Sequence, residues 1–281
     1  MTAPSLHRFG LIGSGRVATH LGRACVSAGL HCTALWSPTA EHATALAREL
    51  GTTAAPSLSA LPLEGLDFLL ISIKDDAISE VVQSLAPRLS CPLLHTAGSV
   101  PLRVLTDHYA RGGVLYPMQT FSKERAVDLT QVPFFIEASD RPTMQLLEQL
   151  CQLLGVREVH ALSSEQRQVL HLASVFACNF VNHLYAQSAH LLEGIGLPFT
   201  IMEPLVRETL EKALSTSDPN SLQTGPAVRG DQRVMALQRH KLEELGAEEA
   251  ATLYDALSRS IQEMNSKPIP SEEAIAPQKE Q

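Results

Sequence analysis

The sequence predicts a doubly wound α/β domain followed by an all-α domain, and three observations carry that prediction. Short apolar runs alternate with helix-patterned stretches through the first 160 residues. Most of those runs are continuously apolar, as strands covered on both faces are, and do not alternate as half-exposed strands do. From Ser163 onward no convincing strand occurs. A repeated strand–helix–strand order means parallel neighbours, joined by crossovers that place helices on both faces of one sheet.

Taken in order, strands are expected at 8–13, 31–37, 67–73, 92–96, 113–118, 133–137 and 157–161, with helices at 17–28, 40–50, 77–89 and 142–154 between them. Ser163, with Gln166 three residues later, has the form of a capping box. It opens a helix that runs to Gly194 or Gly196, after which Pro198 starts the next. The middle of this helix, 169–192, is apolar nearly all round and is expected to be buried on several sides. Further helices are expected at 199–214, 231–245 and 247–263, with a Ser, Asp, Asn, Gly and Pro loop at 216–226. The chain thus divides into an α/β domain over 1–160, an all-helical domain over 161–265 and a disordered tail over 266–281, where prolines and charges dominate.

The formal charge of −8, with no basic run, excludes a nucleic-acid partner, because a phosphate backbone needs a basic face. The five cysteines show no paired spacing, so neither a disulfide framework nor a zinc site is expected. Buried thiols in a reducing compartment are the simpler reading. The longest unbroken apolar run, 66–73, is far short of the roughly 18 residues a membrane span needs. A cytoplasmic protein that binds neither membrane nor nucleic acid is expected.

The first strand runs into Gly13-Ser14-Gly15-Arg16-Val17-Ala18, a Gly-x-Gly-x-x-Ala turn that opens a helix and is followed by a second strand. This is the context of a dinucleotide-binding fingerprint, and it makes the first domain a Rossmann domain. Gly13 permits the tight turn, Gly15 leaves room for a pyrophosphate, and the helix N-terminus faces it with free N–H groups. At the end of the second strand stands Ser37, where a carboxylate would grip the ribose of NAD. NADP is therefore favoured over NAD, with Arg16 the nearest cation for its 2′-phosphate.

Ligands in such sheets lie beyond the carboxyl ends of the strands. Ile73, Lys74 and His95 stand at two of these ends and are assigned to the cofactor together with Gly13, Ser14, Gly15, Arg16, Val17 and Ser37. Lys74-Asp75-Asp76 also reads as a solvated loop with a helix cap, and Gln119 lies on a third strand end. On the long helix His171, Cys178 and Asn182 fall within about 20° of one direction, with Asn179 some 80° away. Polar groups in so apolar a helix need partners or a purpose. Arg229, in the Gly225–Asp231 segment, is a candidate for holding a substrate carboxylate, or equally for an ordinary salt bridge.

Together these motifs are familiar. The chain resembles a bacterial family of NADP oxidoreductases that pair a Rossmann-like domain with a C-terminal helical domain of unknown function. The family is related to pyrroline-5-carboxylate reductase and the 6-phosphogluconate and β-hydroxyacid dehydrogenases. The resemblance runs over 7–261 and is carried by Leu11–Ala18, Ile73–Ile78, His95–Ser99, Tyr116–Phe121, His171–Asn179 and Gly225–Asp231. It departs at Tyr116, where His is usual, and at Lys74, where Pro is common. The β-hydroxyacid dehydrogenases use a Lys in the first helix of their second domain, and the equivalent stretch here offers His171 instead, so that group's chemistry does not carry over. The resemblance implies an NADP-dependent oxidoreductase, and the expectation is a homodimer acting on a small polar metabolite in an interdomain cleft. In that reading His171, with Asn179 or Arg229, handles proton and carboxylate. The alternative is a dinucleotide-binding sensor without turnover.

Overall fold

Seven strands form one sheet in the computed structural model, which describes residues 6–122 and 125–266. They are β1 (Arg8–Ile12), β2 (His31–Trp36), β3 (Phe68–Ile71), β4 (Leu93–His95), β5 (Gly112–Pro117), β6 (Phe134–Ala138) and β7 (Val159–Ala161). Each falls on an expected strand, with its ends displaced by at most two residues. Their spatial order is β2-β1-β3-β4-β5-β6-β7, so the sheet changes direction of growth between β1 and β3.

One pairing departs from the parallel sheet that the sequence predicts: β6 runs antiparallel to β5, while the other neighbours are parallel. A parallel partner needs a crossover of a dozen or more residues, usually a helix. Between β5 and β6 the described residues hold only a short 3-10 turn, Leu129–Gln131, so the strand returns in the opposite sense.

Helices α1 (Arg16–Ser27), α2 (Ala40–Glu49), α3 (Ile78–Leu85), α4 (Arg103–Thr106) and α5 (Arg141–Leu153) flank the sheet. Every residue of β3 is fully buried, and alternate ones enter different cores. Phe68 and Leu70 pack with Leu21 of α1, Leu46 of α2 and Leu147 of α5, whereas Leu69 and Ile71 pack with Val82 and Leu85 of α3. That is why β3 reads as an unbroken apolar run. Each such side chain contributes roughly 1.5–3 kcal/mol by leaving water.

The chain divides into two compact units, Met1–Val181 and Asn182–Gln281, and the division falls inside the helix that begins at Ser164. Its first part is α6 (Ser164–Ser174), followed by a π-helical stretch, Val175–Phe180, and then α7 (Val181–Glu193). The second unit continues with α8 (Glu203–Leu214), α9 (Pro226–Arg229), α10 (Gln232–Glu244) and α11 (Glu248–Ser266). Arg239 of α10 donates to Asp255 of α11 at 2.9 Å, and the Tyr254 hydroxyl donates to Gln238 at 2.7 Å. Ser266 ends α11, and the rest of the tail expected at 266–281 lies outside the described residues.

The long helix corrects a second expectation. Val169, Leu172, Phe176 and Phe180 are exposed and not buried on several sides, because nothing among the described residues packs over that face. By length and composition alone, Ser164–Glu193 is also long and apolar enough to cross a membrane. Unbroken apolar runs do not reveal this, since Gln166, Arg167, Gln168 and His171 interrupt the pattern. Arg167 is fully buried against the sheet and the Ser163–Gln166 capping box is formed, so the first turns belong to the α/β unit.

Cys25, Cys32, Cys91 and Cys151 are free and buried. Burial pushes the thiols of Cys25, Cys32 and Cys151 up to about 12 and that of Cys91 up to about 11. The reactive thiolate is therefore scarce as well as shielded. In a dithionitrobenzoate assay at pH 8, none of these four is expected to react in the native protein, and all should react after unfolding in guanidinium. Rapid native labelling of any of them would contradict this core.

Candidate active site

A groove of about 620 Å³ opens at the carboxyl ends of β1, β2 and β3, where the sheet reverses its order. It is lined by Gly13, Ser14, Gly15, Arg16, Val17, Ser37, Ile73 and Lys74, which the sequence assigns to the cofactor, and also by Thr39, His42 and Ser72. Gly13 adopts φ +115°, and a Cβ there would collide with the Ser72 carbonyl, so the turn demands glycine before any ligand does. A Cβ at Gly15 would meet nothing within 4 Å, which leaves the space a phosphate needs.

Helix α1 starts at Gly15 with no side-chain cap and no acidic residue in its first turn. Its free N–H groups and positive dipole end suit an anion. Within the same turn Ser14 donates to Ser37 at the end of β2, at 2.8 Å, and both are buried. The chain thus fits a dinucleotide, which would lay its pyrophosphate on the Gly13–Val17 turn. Sequence reading does not single out Thr39 and His42. Their signal is the N-terminus of α2, where Thr39 takes the cap position without capping through its side chain.

His95 does not line this groove, contrary to its assignment from sequence. It is fully buried, accepts the Ala97 N–H at Nδ1 over 3.2 Å, and has no partner for Nε2 among the described residues. Burial and the nearby Arg167 charge push its pKa down to about 3, so it is neutral with its proton on Nε2.

The groove is tied to the next part of the edge by hydrogen bonds. Thr96 donates to Ser72 at 3.0 Å, and Ser99 donates to Asp75. Between them Gly98 touches His171: a Cβ on Gly98 would lie 2.6 Å from Nδ1 and 3.0 Å from the Tyr116 ring. The Tyr116 hydroxyl lies 3.0 Å from His171 Nδ1, and the two rings meet edge to face. Burial raises the Tyr116 pKa, against opposing effects of the Ser174 hydroxyl and the Arg167 charge. The phenol therefore keeps its proton near neutrality and is able to donate it to Nδ1 in the tautomer of His171 that carries its N–H on Nε2. Tyr116 is the functional candidate that the sequence does not select. It is visible there as a polar group on a strand end, but nothing in the sequence pairs it with a residue 55 positions later.

The π-helical stretch alters the face that the sequence predicts. An i→i+5 turn absorbs one extra residue, so a residue beyond it takes the angular place of its predecessor. Asn182, which follows the stretch, thereby leaves the direction of His171, while Cys178 and Asn179 lie within the π turn itself. Asn179 is exposed. Arg229 ends α9 in the second unit, is exposed, and has no ion pair among the described residues.

Two family models match the chain. Residues 8–93 match "NADP oxidoreductase coenzyme F420-dependent", and residues 132–261 match a "domain of unknown function", DUF2520. A solved "putative NADP oxidoreductase" from Bacteroides fragilis is 38% identical, covering 92% of this chain and 98% of its own, with a TM-score of 0.82. The chain belongs to this family of NADP oxidoreductases. The oxidoreductase also shares its fold with a protein from Thermotoga maritima, at 20% identity over 92% of this chain and 100% of that one, with a TM-score of 0.72. A pyrroline-5-carboxylate reductase from Coxiella burnetii aligns at 18% identity over 92% and 99%, with a TM-score of 0.55. No curated protein matches the chain. NADP, the cofactor expected from Ser37, is named in that family's description, alongside coenzyme F420.

The buried neutral His95 predicts acid lability. In the unfolded chain it takes a proton below about pH 6.5, whereas in the folded chain it resists to about 3. Between those values the unfolded state holds the extra proton, so stability falls as pH falls, by up to about 1.4 kcal/mol per unit. Above pH 6.5 His95 contributes no slope. Urea melts from pH 7 to 4 should show a shallower pH dependence for His95→Asn than for wild type. Equal slopes would count against the assignment.

Proposed function

We propose that this family member is an NADP-dependent oxidoreductase acting on the carbonyl or imine of a small polar metabolite. The observation that carries the reading is the Tyr116–His171 hydrogen bond of 3.0 Å on the strand edge that also bears the glycine turn. Bound NADPH would supply hydride to the substrate carbon. In the reducing direction, His171 Nε2 gives its proton to the substrate nitrogen or oxygen. The Tyr116 proton moves to Nδ1 in the same step, and the starting state returns when solvent protonates Nε2 and Nδ1 gives its proton back to the phenolate. An imidazole with a hydrogen-bonded partner is suited to pass a proton either way.

The division of labour expected from the sequence belongs to this proposal: dinucleotide binding by 1–160, and dimerisation and substrate binding by 161–265. Arg229, exposed and without an ion pair among the described residues, is its candidate for a substrate carboxylate. Preference for NADPH over NADH is supported by Ser37, which carries no charge to repel a 2′-phosphate, and by Arg16, Thr39 and His42 along the groove.

NADPH oxidation should be followed against imino acids, keto acids and aldehydes, with NADH in parallel. NADPH is expected to bind several-fold tighter than NADH. His171→Asn should keep NADPH binding while lowering turnover at least 100-fold, in the range general acid–base catalysis supplies. Tyr116→Phe should lower it less, and Arg229→Lys should mainly raise KM. NADPH binding without turnover across the panel would favour the sensor, and wild-type rates in His171→Asn would refute the proton role.

Assembly is the second part of the proposal. The exposed stripe Val169, Leu172, Phe176 and Phe180 is apolar surface that a second copy would cover. Light scattering should give the mass of two chains, and Val175→Glu, in the same stretch, should give monomers or aggregates. A wild-type monomer would overturn it.

A further inference from the structure

Arg167 is sealed inside the α/β unit, with 1% of its side chain exposed, and its guanidinium reaches three separate elements. One terminal nitrogen donates to the carbonyls of Ala97 and Gly98 at 2.8 and 2.9 Å, in the turn after β4. The other donates to Glu137 of β6 at 3.0 Å and to the Ser164 hydroxyl at 3.4 Å. Ser164 in turn donates to both Glu137 oxygens, at 2.8 and 2.9 Å, and accepts the Leu102 N–H at 2.9 Å. The Nε of Arg167 has no partner among the described residues.

A buried ion pair is weak evidence of stability, since apolar residues of similar volume often serve as well. Arg167 also leaves a buried donor unpaired, which costs further. The arrangement is better explained by the backbone it holds. The Gly98 backbone, gripped through its carbonyl, is the wall against which the His171 ring rests. Arg167 lies one helical turn before His171, on the same face of α6. We propose that Arg167 is the positioning residue of the Tyr116–His171 pair, fixing the imidazole through the Ala97–Gly98 turn. This rests on reading that pair as the proton-handling group. The Arg167 charge also favours the ionised form of Tyr116, which the relay produces when His171 gives up its proton.

The test is NMR of the full chain with ¹⁵N-labelled histidine and ¹³C-labelled tyrosine, alongside NADPH titration and turnover. In wild type His171 should show the Nε2–H tautomer with a hydrogen-bonded Nδ1. In Arg167→Met the Nδ1 signal should move towards that of a free imidazole. Tyr116 should titrate at higher pH, as expected when a nearby cation is lost. NADPH affinity should stay within two-fold. Arg167→Lys keeps a charge but cannot span two carbonyls and a carboxylate. It should restore the Tyr116 titration and leave the His171 signal displaced.

A lower melting temperature with unchanged His171 and Tyr116 signals in Arg167→Met would make Arg167 merely structural and overturn the proposal. Should Arg167→Met fail to fold, Gly98→Ala pushes on the same wall with Arg167 intact. It is expected to displace the His171 signal, and an unmoved signal there would also overturn it. Failure of the proton-relay reading is distinct: His171→Asn would then turn over normally, whatever the spectra of the Arg167 variants show.

Discussion

A guanidinium with no access to water must find acceptors in the chain, and Arg167 finds them on three elements at once. Glu137 from β6, Ser164 from the start of α6 and two carbonyls from the turn after β4 converge on it. The turn after β4 lies far from the other two in sequence, yet the relative placement of all three is set by one planar group with fixed donor directions. Removing either charged partner would strand the other, at a cost of roughly 3–5 kcal/mol for a fully buried pair. Glu137, 16% exposed, lies towards the lower end of that range. The His171 ring and the Tyr116 phenol rest on this platform.

The nucleotide groove depends on a different constraint, the close approach of backbone to backbone. Gly13 turns against the Ser72 carbonyl at the end of the neighbouring strand, so β1 and β3 can pair in register up to the mouth of the groove. Ser72 also accepts a hydrogen bond from Thr96, which links the glycine turn to the strand edge that carries Gly98. The groove and the Tyr116–His171 pair are thus joined by short, directional contacts within the first unit.

The long helix serves two purposes that pull in opposite directions. Its first turns are polar where Arg167, Gln168 and His171 meet the α/β unit, and apolar on the other side, where Val169, Leu172 and Phe176 remain exposed. Such a helix looks apolar nearly all round in one dimension because its two faces suit different partners. The π turn at Val175–Phe180 then rotates the remainder of the helix, and π turns of this kind are frequent at functional sites.

The strands, the glycine turn and its ligand class, and the helical second half are legible in the sequence, because local pattern determines them. Continuous apolar runs specify doubly covered strands, and a Gly-x-Gly turn between strand and helix admits few geometries. Three features are not legible there. The antiparallel β6 follows from the lack of a crossover helix among the described residues, yet its pairing partner is chosen only by the assembled sheet. The facing of Asn182 escapes a 100° periodicity, because a hydrogen-bond shift within a helix leaves no trace in it. The Tyr116–His171 pair and the burial of His95 and Arg167 depend on residues distant in the chain, which no local pattern connects. Sequence determines which side chains are polar, but only the tertiary structure decides which of them lose water, and the partners they must then find.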